Sequence, residues 1–275
     1  MIELGVTIPS GGDDFSRERM MLVAELAREL GYQHVWAGEH LVADSATADR
    51  GKSLDPFVSL AWVASRVEGI GIGTSIVLLP MRHPFRVARE AGTLQLLSDG
   101  RFNLGIGVGW NEAEFRLAGY GFHGRGERAD EALRVIETLW SGRTSFRGEF
   151  WSFDDACFYP RPDPPPQIWI GGNSPRALAR ARRHGNVWHP NGLPDEAFAL
   201  LKDGWAAGSC RGFRSSSTAR SATRTRSPEA KRLSRLGSTG HSPPAPTGSC
   251  SALRTPTTVW PRCAALPTRL RRAFE

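Results

Sequence analysis

The sequence predicts an α/β protein, a TIM (β/α)8-type barrel that stops after about six βα units and is followed by a low-complexity basic tail. The first observation behind this prediction is that short apolar runs alternate with amphipathic helical segments six times over residues 1–205. The second is that the runs are apolar throughout, as parallel strands covered on both faces are. The third is that each unit has about the length of a barrel unit. A doubly wound open sheet shares the local pattern and stays open as the alternative.

The first three units have recognisable helix boundaries. Gly31 closes the first helix, in which apolar residues recur at helical spacing from Met20 to Leu30. Asp55 and Pro56 form an N-cap and first-turn pair that begins the second helix. The predicted strand and helix runs are 2–8 and 20–30, 34–38 and 55–64, and 70–78 and 84–97.

The next three units follow the same pattern. Gly142 closes the fourth helix, and Ser174 with Pro175 forms a second N-cap and first-turn pair at the fifth. The predicted runs are 102–108 and 129–139, 168–170 and 175–184, and 186–189 and 195–202. Together the six units make up the predicted barrel-type domain, residues 1–205.

Residues 143–166 interrupt the pattern. The segment is rich in aromatic residues and then in proline, and it is too long for an ordinary connection between a helix and a strand. We predict an insertion that packs over one end of the sheet.

Residues 206–275 differ from the rest in composition and charge. They hold 13 of the 35 Lys and Arg but 2 of the 28 Asp and Glu, so they carry a net charge of +11 and leave −4 for residues 1–205. Twenty Ser and Thr and seven Pro without periodicity predict a segment that cannot order itself. Either a disordered arm or a reading frame that slips near Trp205 would explain this composition. Because the body is mildly acidic, we expect no nucleic-acid partner.

Signals for metal, disulfide and membrane are weak. Three of the four cysteines lie in the tail without metal-ligand spacing, so neither a metal site nor a disulfide framework is predicted. The N-terminus lacks a basic region before an apolar run, and no segment approaches the roughly 20 apolar residues that span a bilayer. We therefore expect a cytoplasmic protein without a membrane partner.

Position alone selects candidate catalytic residues, because the C-terminal strand ends build the active site in a barrel of this type. Glu39 and His40 are the sharpest pair, since a carboxylate beside an imidazole can tune a proton donor near neutral pH. A histidine that merely caps a loop is the alternative. His189 ends the last strand and is a weaker candidate because it precedes a proline.

The strand end at Gly171 and Gly172 predicts a phosphate site. A helix begins directly afterwards at Ser174 and Pro175, so its free backbone N–H groups would face a ligand above the turn. A tight connection is the alternative, since glycine serves wherever the backbone turns sharply.

The strand end from Gly105 to Gly109 superficially resembles a dinucleotide fingerprint. The third glycine is misplaced, however, and the sequence predicts no helix there. We interpret it as a strand end kept free of side chains so that a flat ring can approach the backbone, with a plain core strand as the alternative.

Four motifs together resemble the luciferase-like monooxygenase superfamily, and within it the branch that uses the deazaflavin coenzyme F420. The resemblance spans residues 1–205 and stops there. The motifs are Gly38-Glu39-His40, Gly-Thr-Ser-Ile-Val-Leu-Leu-Pro at 73–80, Asp-Gly-Arg-Phe-Asn-Leu-Gly-Ile-Gly-Val-Gly-Trp-Asn-Glu at 99–112, and Ile-Trp-Ile-Gly-Gly-Asn-Ser-Pro at 168–175.

The resemblance implies roles for individual residues. Ser75 and Ile76 fall where the family has a non-prolyl cis peptide that forms a bulge against the ring, and Glu39 and His40 match its acidic-His pair, with His40 as proton donor or orienting group. Cofactor-binding positions are implied at Ser75, Ile76, Gly107, Val108, Gly109, Asn111, Gly171, Gly172, Asn173 and Ser174.

The chemistry that the resemblance implies is hydride transfer between coenzyme F420 and a small organic substrate. An FMN-dependent monooxygenase that inserts oxygen from O2 is the alternative within the family, and an inactive product of a frameshifted gene is the alternative outside it. The family also implies a homodimer. Strands seven and eight are not recognisable in residues 206–275, which leaves both the dimer and the closure of the barrel open.

Overall fold

A computed structural model describes residues 3–12, 15–48, 51–194, 196 and 214–215. Over these residues the chain forms a curled parallel sheet with helices, an α/β half-barrel. The strands are β1 (Gly5–Thr7), β2 (His34–Ala37), β3 (Gly71–Thr74), β4 (Val77–Leu78), β5 (Phe102–Gly107), β6 (Phe146–Arg147), β7 (Ser152–Phe153), β8 (Gln167–Gly171), β9 (Val187–His189) and β10 (Arg214–Ser215). The helices are α1 (Arg17–Glu29), α2 (Pro56–Ala64), α3 (Pro84–Leu97), α4 (Glu112–Leu117), α5 (Arg125–Trp140) and α6 (Pro175–His184).

The strand order decides between the two predicted architectures. The main sheet runs β1-β2-β3-β5-β8-β9-β10, with β4 also on β5, and every pair in it is parallel. Each main strand therefore lies beside the one before it, without the reversal of order that defines a doubly wound sheet. The predicted helix at 195–202 falls outside the described residues except for Glu196.

Local capping explains why the helices begin where the sequence predicts. The side chain of Asp55 accepts a hydrogen bond from Val58 N, and Pro56 fills the first helical position of α2. Ser174 does the same for Ala177 N at the start of α6. Both caps are satisfied by neighbours in the sequence, so both could be identified from it.

The third strand and helix α4 are among the elements that differ from the prediction. The third strand is split into β3 and β4 by a cis peptide bond between Ser75 and Ile76. Helix α4 begins at Glu112, where no helix was predicted, because Asn111 accepts a hydrogen bond from Ala113 N as its N-cap.

The two faces of the sheet bury different residues. Val35 belongs to the large cluster between the sheet and the helices, whereas its neighbour Trp36 belongs to a separate cluster with Trp169 and Val187. Successive strand residues point to opposite faces, so the second cluster lies on the inner, concave face.

Strand glycines make room for these inner rings. A Cβ at Gly5 would lie 2.3 Å from Nε1 of Trp36, and a Cβ at Gly73 would lie 2.3 Å from Cζ3 of the same ring. The inner face is therefore filled by a few large rings set against bare backbone, which replaces the layers of branched side chains common in barrels.

The insertion at 143–166 contains the antiparallel hairpin of β6 and β7 and contacts the helices α3 and α5. Its packing over one end of the sheet stays a prediction. The carboxylate of Glu131 on α5 accepts hydrogen bonds from the backbone N–H groups of Glu149, Phe150 and Trp151 at 2.7–2.8 Å. Phe85 on α3 packs edge-on against Phe153 at 5.1 Å between ring centroids.

Candidate active site

Three strand ends converge at the C-terminal edge of the sheet around Ile76. A Cβ at Gly107 would lie 2.7 Å from Cδ1 of Ile76, and a Cβ at Gly171 would lie 3.0 Å from its Cγ2. The cis peptide at Ser75–Ile76, which the family resemblance implies, is present at this point. Ile76 fills the space beside both glycines. The absence of a side chain at these two positions is therefore needed to accommodate Ile76 at the bulge, whether or not a ligand binds there.

The side chain of Ser75 forms a hydrogen bond with His189 at the end of β9. Its Oγ lies 2.8 Å from Nε2 of His189, and the ring of His189 packs against Trp36 and Trp169 at 5.8 and 5.7 Å between centroids. Burial lowers the pKa of His189 to about 4, so the ring is neutral near pH 7. From its position in the sequence, His189 is only a weak candidate for a site residue. Its contact with Ser75 at the bulge strengthens that candidacy.

Glu39 does not pair with His40. Its carboxylate accepts a hydrogen bond from Leu78 N at 2.6 Å and binds the guanidinium of Arg82, with Nε of Arg82 at 2.8 Å. Arg82 also binds Asp55 and, at 3.3 Å, Glu90. Burial lowers the pKa of Arg82, but hydrogen bonds and charge attraction to its carboxylate partners outweigh burial and raise it above its usual value. Glu39 therefore belongs to this ion cluster after the end of β2 and makes no hydrogen bond to His40.

The acidic partner of His40 is Glu114 on α4. Oε2 of Glu114 lies 3.1 Å from Nδ1 of His40, and its Oε1 accepts a hydrogen bond from Leu41 N at 2.6 Å. Glu114 is 3% exposed and His40 is 26% exposed, so the imidazole reaches solvent while its carboxylate does not. Glu114 is not among the predicted site residues because no helix was predicted there, although Asn111 followed by acidic residues is a helix-start signal.

The β5 end is fixed mainly by contacts within the protein. Asn111 is buried, and its Nδ2 donates to Oγ1 of Thr47 at 3.4 Å while its Oδ1 caps α4. The guanidinium Nε of Arg125 donates to the carbonyl of Gly109 at 3.2 Å. Val108, also named from the resemblance, is half-buried and packs on the main core.

The turn after β8 is held by the segment that follows it in the sheet. Gly172 N donates to the carbonyl of His189 at 3.3 Å, and the indole of Trp188 donates to the carbonyl of Gly172 at 2.9 Å. The amide of Asn173 makes two hydrogen bonds with the backbone of Asn191, at 2.5 and 2.9 Å.

The side chains of Asn173 and Ser174 are therefore both committed within the protein, since Ser174 caps α6. Pro175 has no backbone N–H, and those of Ala177 and Leu178 already donate to Ser174. What the start of α6 can offer an anion is therefore the N–H of Arg176 and the positive end of the helix.

Some features are absent from the described ranges. In residues 3–12, 15–48, 51–194, 196 and 214–215, no group of three His, Cys, Asp or Glu side chains is placed to hold a metal ion. Over the same ranges, no helix is both long enough and apolar enough to cross a membrane.

Parallel strands in barrel order, with polar groups gathered at their C-terminal ends, define a barrel-type α/β protein with its candidate site in the usual place. The chain belongs to the luciferase-like monooxygenase family, whose profile matches residues 2–227. That match continues past residue 205, the end of the domain predicted from the sequence.

Curated relatives include proteins of two cofactor types. The chain is 32% identical over 188 residues to an F420-dependent hydroxymycolic acid dehydrogenase of Mycobacterium tuberculosis, covering 67% of this chain and 52% of that protein. It is 29% identical over 172 residues to the oxygenase component of a flavin-dependent trigonelline monooxygenase of Acinetobacter baylyi, covering 61% of this chain and 46% of that protein. The chain thus spans about half the length of the curated relatives it matches.

Solved structures confirm the fold. The monooxygenase RslO1 from Streptomyces bottropensis matches with a TM-score of 0.65 and 27% identity, over 78% of this chain and 68% of that chain. An F420-dependent secondary alcohol dehydrogenase in complex with an F420-acetone adduct matches with a TM-score of 0.67 and 19% identity, over 78% of this chain and 67% of that chain. At that identity the second match concerns the fold alone.

Proposed function

We propose that the protein is an oxidoreductase that transfers hydride between coenzyme F420 and a small organic substrate. The observation that carries the proposal is the His40–Glu114 pair at the same sheet edge as the Ser75–Ile76 bulge and the start of α6. A proton-exchanging side chain, a backbone surface and an anion-binding helix end are what a phosphate-bearing ring cofactor needs. The F420-dependent dehydrogenases among the relatives support this choice of cofactor.

The residues at this edge fit such a group. Ile76 covers the bare backbone of Gly107 and Gly171, so the bulge presents one apolar side chain among glycines to a flat ring. The start of α6 offers a phosphate the backbone N–H of Arg176 and the positive end of the helix, and the exposed Arg176 side chain adds positive charge.

When bound, the deazaflavin ring accepts or donates the hydride. Glu114 accepts the Nδ1–H of His40, so the ring nitrogen left to exchange a proton with the substrate is Nε2, an atom without a hydrogen bond in the described part of the chain. For an alcohol substrate, Nε2 takes the hydroxyl proton as the hydride departs from carbon, and a carbonyl product remains. Leu41 N fixes the second oxygen of Glu114 and so sets the direction of the imidazole.

Titration of the purified chain with each cofactor tests the proposal. We expect F420 fluorescence to be quenched with saturation and the chain to be stabilised against heat, with no comparable effect of FMN. Saturable binding of FMN alone would reject F420 and favour the second candidate.

That second candidate is an FMN-dependent monooxygenase that inserts oxygen from O2. Its support is the likeness to the trigonelline monooxygenase component and to RslO1. Consumption of O2 with reduced FMN and substrate would distinguish it from hydride transfer. If the chain binds neither cofactor, the inactive product of a frameshifted gene becomes the better account.

A further inference from the structure

The structure allows us to assign which group donates the hydrogen bond between Ser75 and His189. Ser75 lies at the bulge and is partly exposed, while His189 lies on the inner face of the sheet in contact with the rings of Trp36 and Trp169. These rings fix the plane of the imidazole. The only hydrogen-bonding contact of the Ser75 hydroxyl within the described residues is Nε2 of His189, at 2.8 Å.

The charge state of His189 limits the possibilities to two. Because burial lowers its pKa to about 4, the ring is neutral near pH 7 and carries one N–H, on Nδ1 or on Nε2. Nδ1 is buried and has no partner among the residues that the structure describes.

The two tautomers differ in what is left unpaired. If Nδ1 carries the hydrogen, a strong donor is buried without an acceptor, which native structures rarely tolerate. If Nε2 carries it, only a lone pair on Nδ1 is unpaired, and the N–H of Nε2 donates to the oxygen of Ser75. The hydroxyl hydrogen of Ser75 is then free to turn toward a bound ligand.

We propose that His189 is a positioning residue that makes the Ser75 hydroxyl a hydrogen-bond donor to an acceptor atom on the edge of the bound cofactor ring. This inference rests on the proposed function, because the ring is the acceptor. No carboxylate of the described residues contacts Nδ1, so the pair lacks the third group that orients the base of an activated serine nucleophile.

The first test needs no cofactor. In a nitrogen-15 NMR spectrum of the imidazole side chains, with His189→Gln used to assign the signals, we expect the His189 ring to carry its hydrogen on Nε2 at pH 7. Hydrogen on Nδ1 would overturn the inference, because Ser75 would then donate to the ring and not to a ligand.

The second test compares cofactor dissociation constants of the full chain and four variants. Ser75→Ala and His189→Leu should each weaken F420 binding by about 5- to 10-fold, the value of one hydrogen bond. His189→Gln, whose amide can donate from nearly the position of Nε2, should restore most of the loss. Ser98→Ala is the matched control, since it removes a buried hydroxyl that has no partner in the described part of the chain, and it should leave affinity unchanged.

The outcomes are distinct. Equal binding by wild type and Ser75→Ala, or loss in Ser75→Ala without loss in His189→Leu, would overturn the role of His189. If wild type binds neither F420 nor FMN, the proposed function and the ring as acceptor are both rejected, while the tautomer is still decided by the NMR spectrum.

Discussion

The carboxylate of Glu114 lies 3.1 Å from the Nδ1 of His40, although the two residues are 74 positions apart in the chain. The carboxylate also accepts a hydrogen bond from Leu41 N, so one buried acid fixes both the imidazole ring and the backbone of the loop after β2. The short helix α4 therefore controls the direction of the imidazole at the sheet edge.

Replacing Glu114 with Gln should lower kcat/KM by roughly 10- to 100-fold, part of what general acid–base catalysis contributes. The amide can still accept from Leu41 N, but it no longer favours the tautomer with its lone pair on Nε2. Steady-state kinetics with F420 and an alcohol substrate measure the change. Glu112→Gln removes an exposed acid from the same helix and is the matched control. An equal loss in both variants would contradict the role of Glu114.

Replacing Glu39 with Gln should reduce the free energy of unfolding by about 2–4 kcal/mol, because it leaves a largely buried guanidinium short of a charge partner. The pH dependence of activity should not change, since Glu39 does not contact His40. Urea unfolding and a pH–rate profile test these two statements. Glu90→Gln, which removes a more exposed partner of Arg82, should cost less than about 1 kcal/mol. A shifted pH profile with unchanged stability would restore the Glu39–His40 pairing.

Glu131 should make the protein sensitive to acid. Burial raises its pKa, but three backbone hydrogen bonds from the insertion outweigh burial, and the pKa is lowered overall. A lowered pKa gives stability that is present above the unfolded-state value and is lost as the pH falls through the folded-state value. Thermal unfolding between pH 7 and 3 should show a shallower loss for Glu131→Gln than for wild type. Parallel curves would show that the hydrogen bonds are not linked to ionisation.

Two glycines of β5 should respond differently to alanine. A Cβ at Gly105 would lie 1.8 Å from the carbonyl oxygen of Thr74, which is backbone and cannot turn aside, whereas the nearest atoms to a Cβ at Gly107 would belong to the side chain of Ile76, with its Cδ1 at 2.7 Å. We expect a loss of about 3 kcal/mol or more for Gly105→Ala and about 1 kcal/mol for Gly107→Ala. Ile76→Ala should offset part of the second loss in a double-mutant cycle. Equal costs at the two positions would contradict this account.

The features that could be predicted from the sequence are those whose interacting groups lie close together in the chain. Asp55 and Ser174 cap their helices through backbone groups three residues away, so the signal and its partner stand side by side in the chain. The order of strands and helices follows from periodicity, which is also a property of short windows.

Sequence reasoning failed where partners are distant in the chain. The Glu39–Arg82 and His40–Glu114 contacts join separate loops, and adjacency in the sequence suggested the wrong pair. In the same way, Gly5 is a glycine because Trp36 on the next strand needs its space, which no pattern within one strand indicates.

The inner face of the sheet also gives the molecule an optical signature. Trp36 and Trp169 lie 4.6 Å apart between ring centroids with their planes inclined by 51°. At that separation the excited states of two indoles mix, and their skewed arrangement gives the two mixed transitions circular-dichroism bands of opposite sign. Because the rings sit on different strands, the paired circular-dichroism bands exist only while β2 and β8 hold their places in the curled sheet. The chain thus reports on the integrity of its own half-barrel without any label.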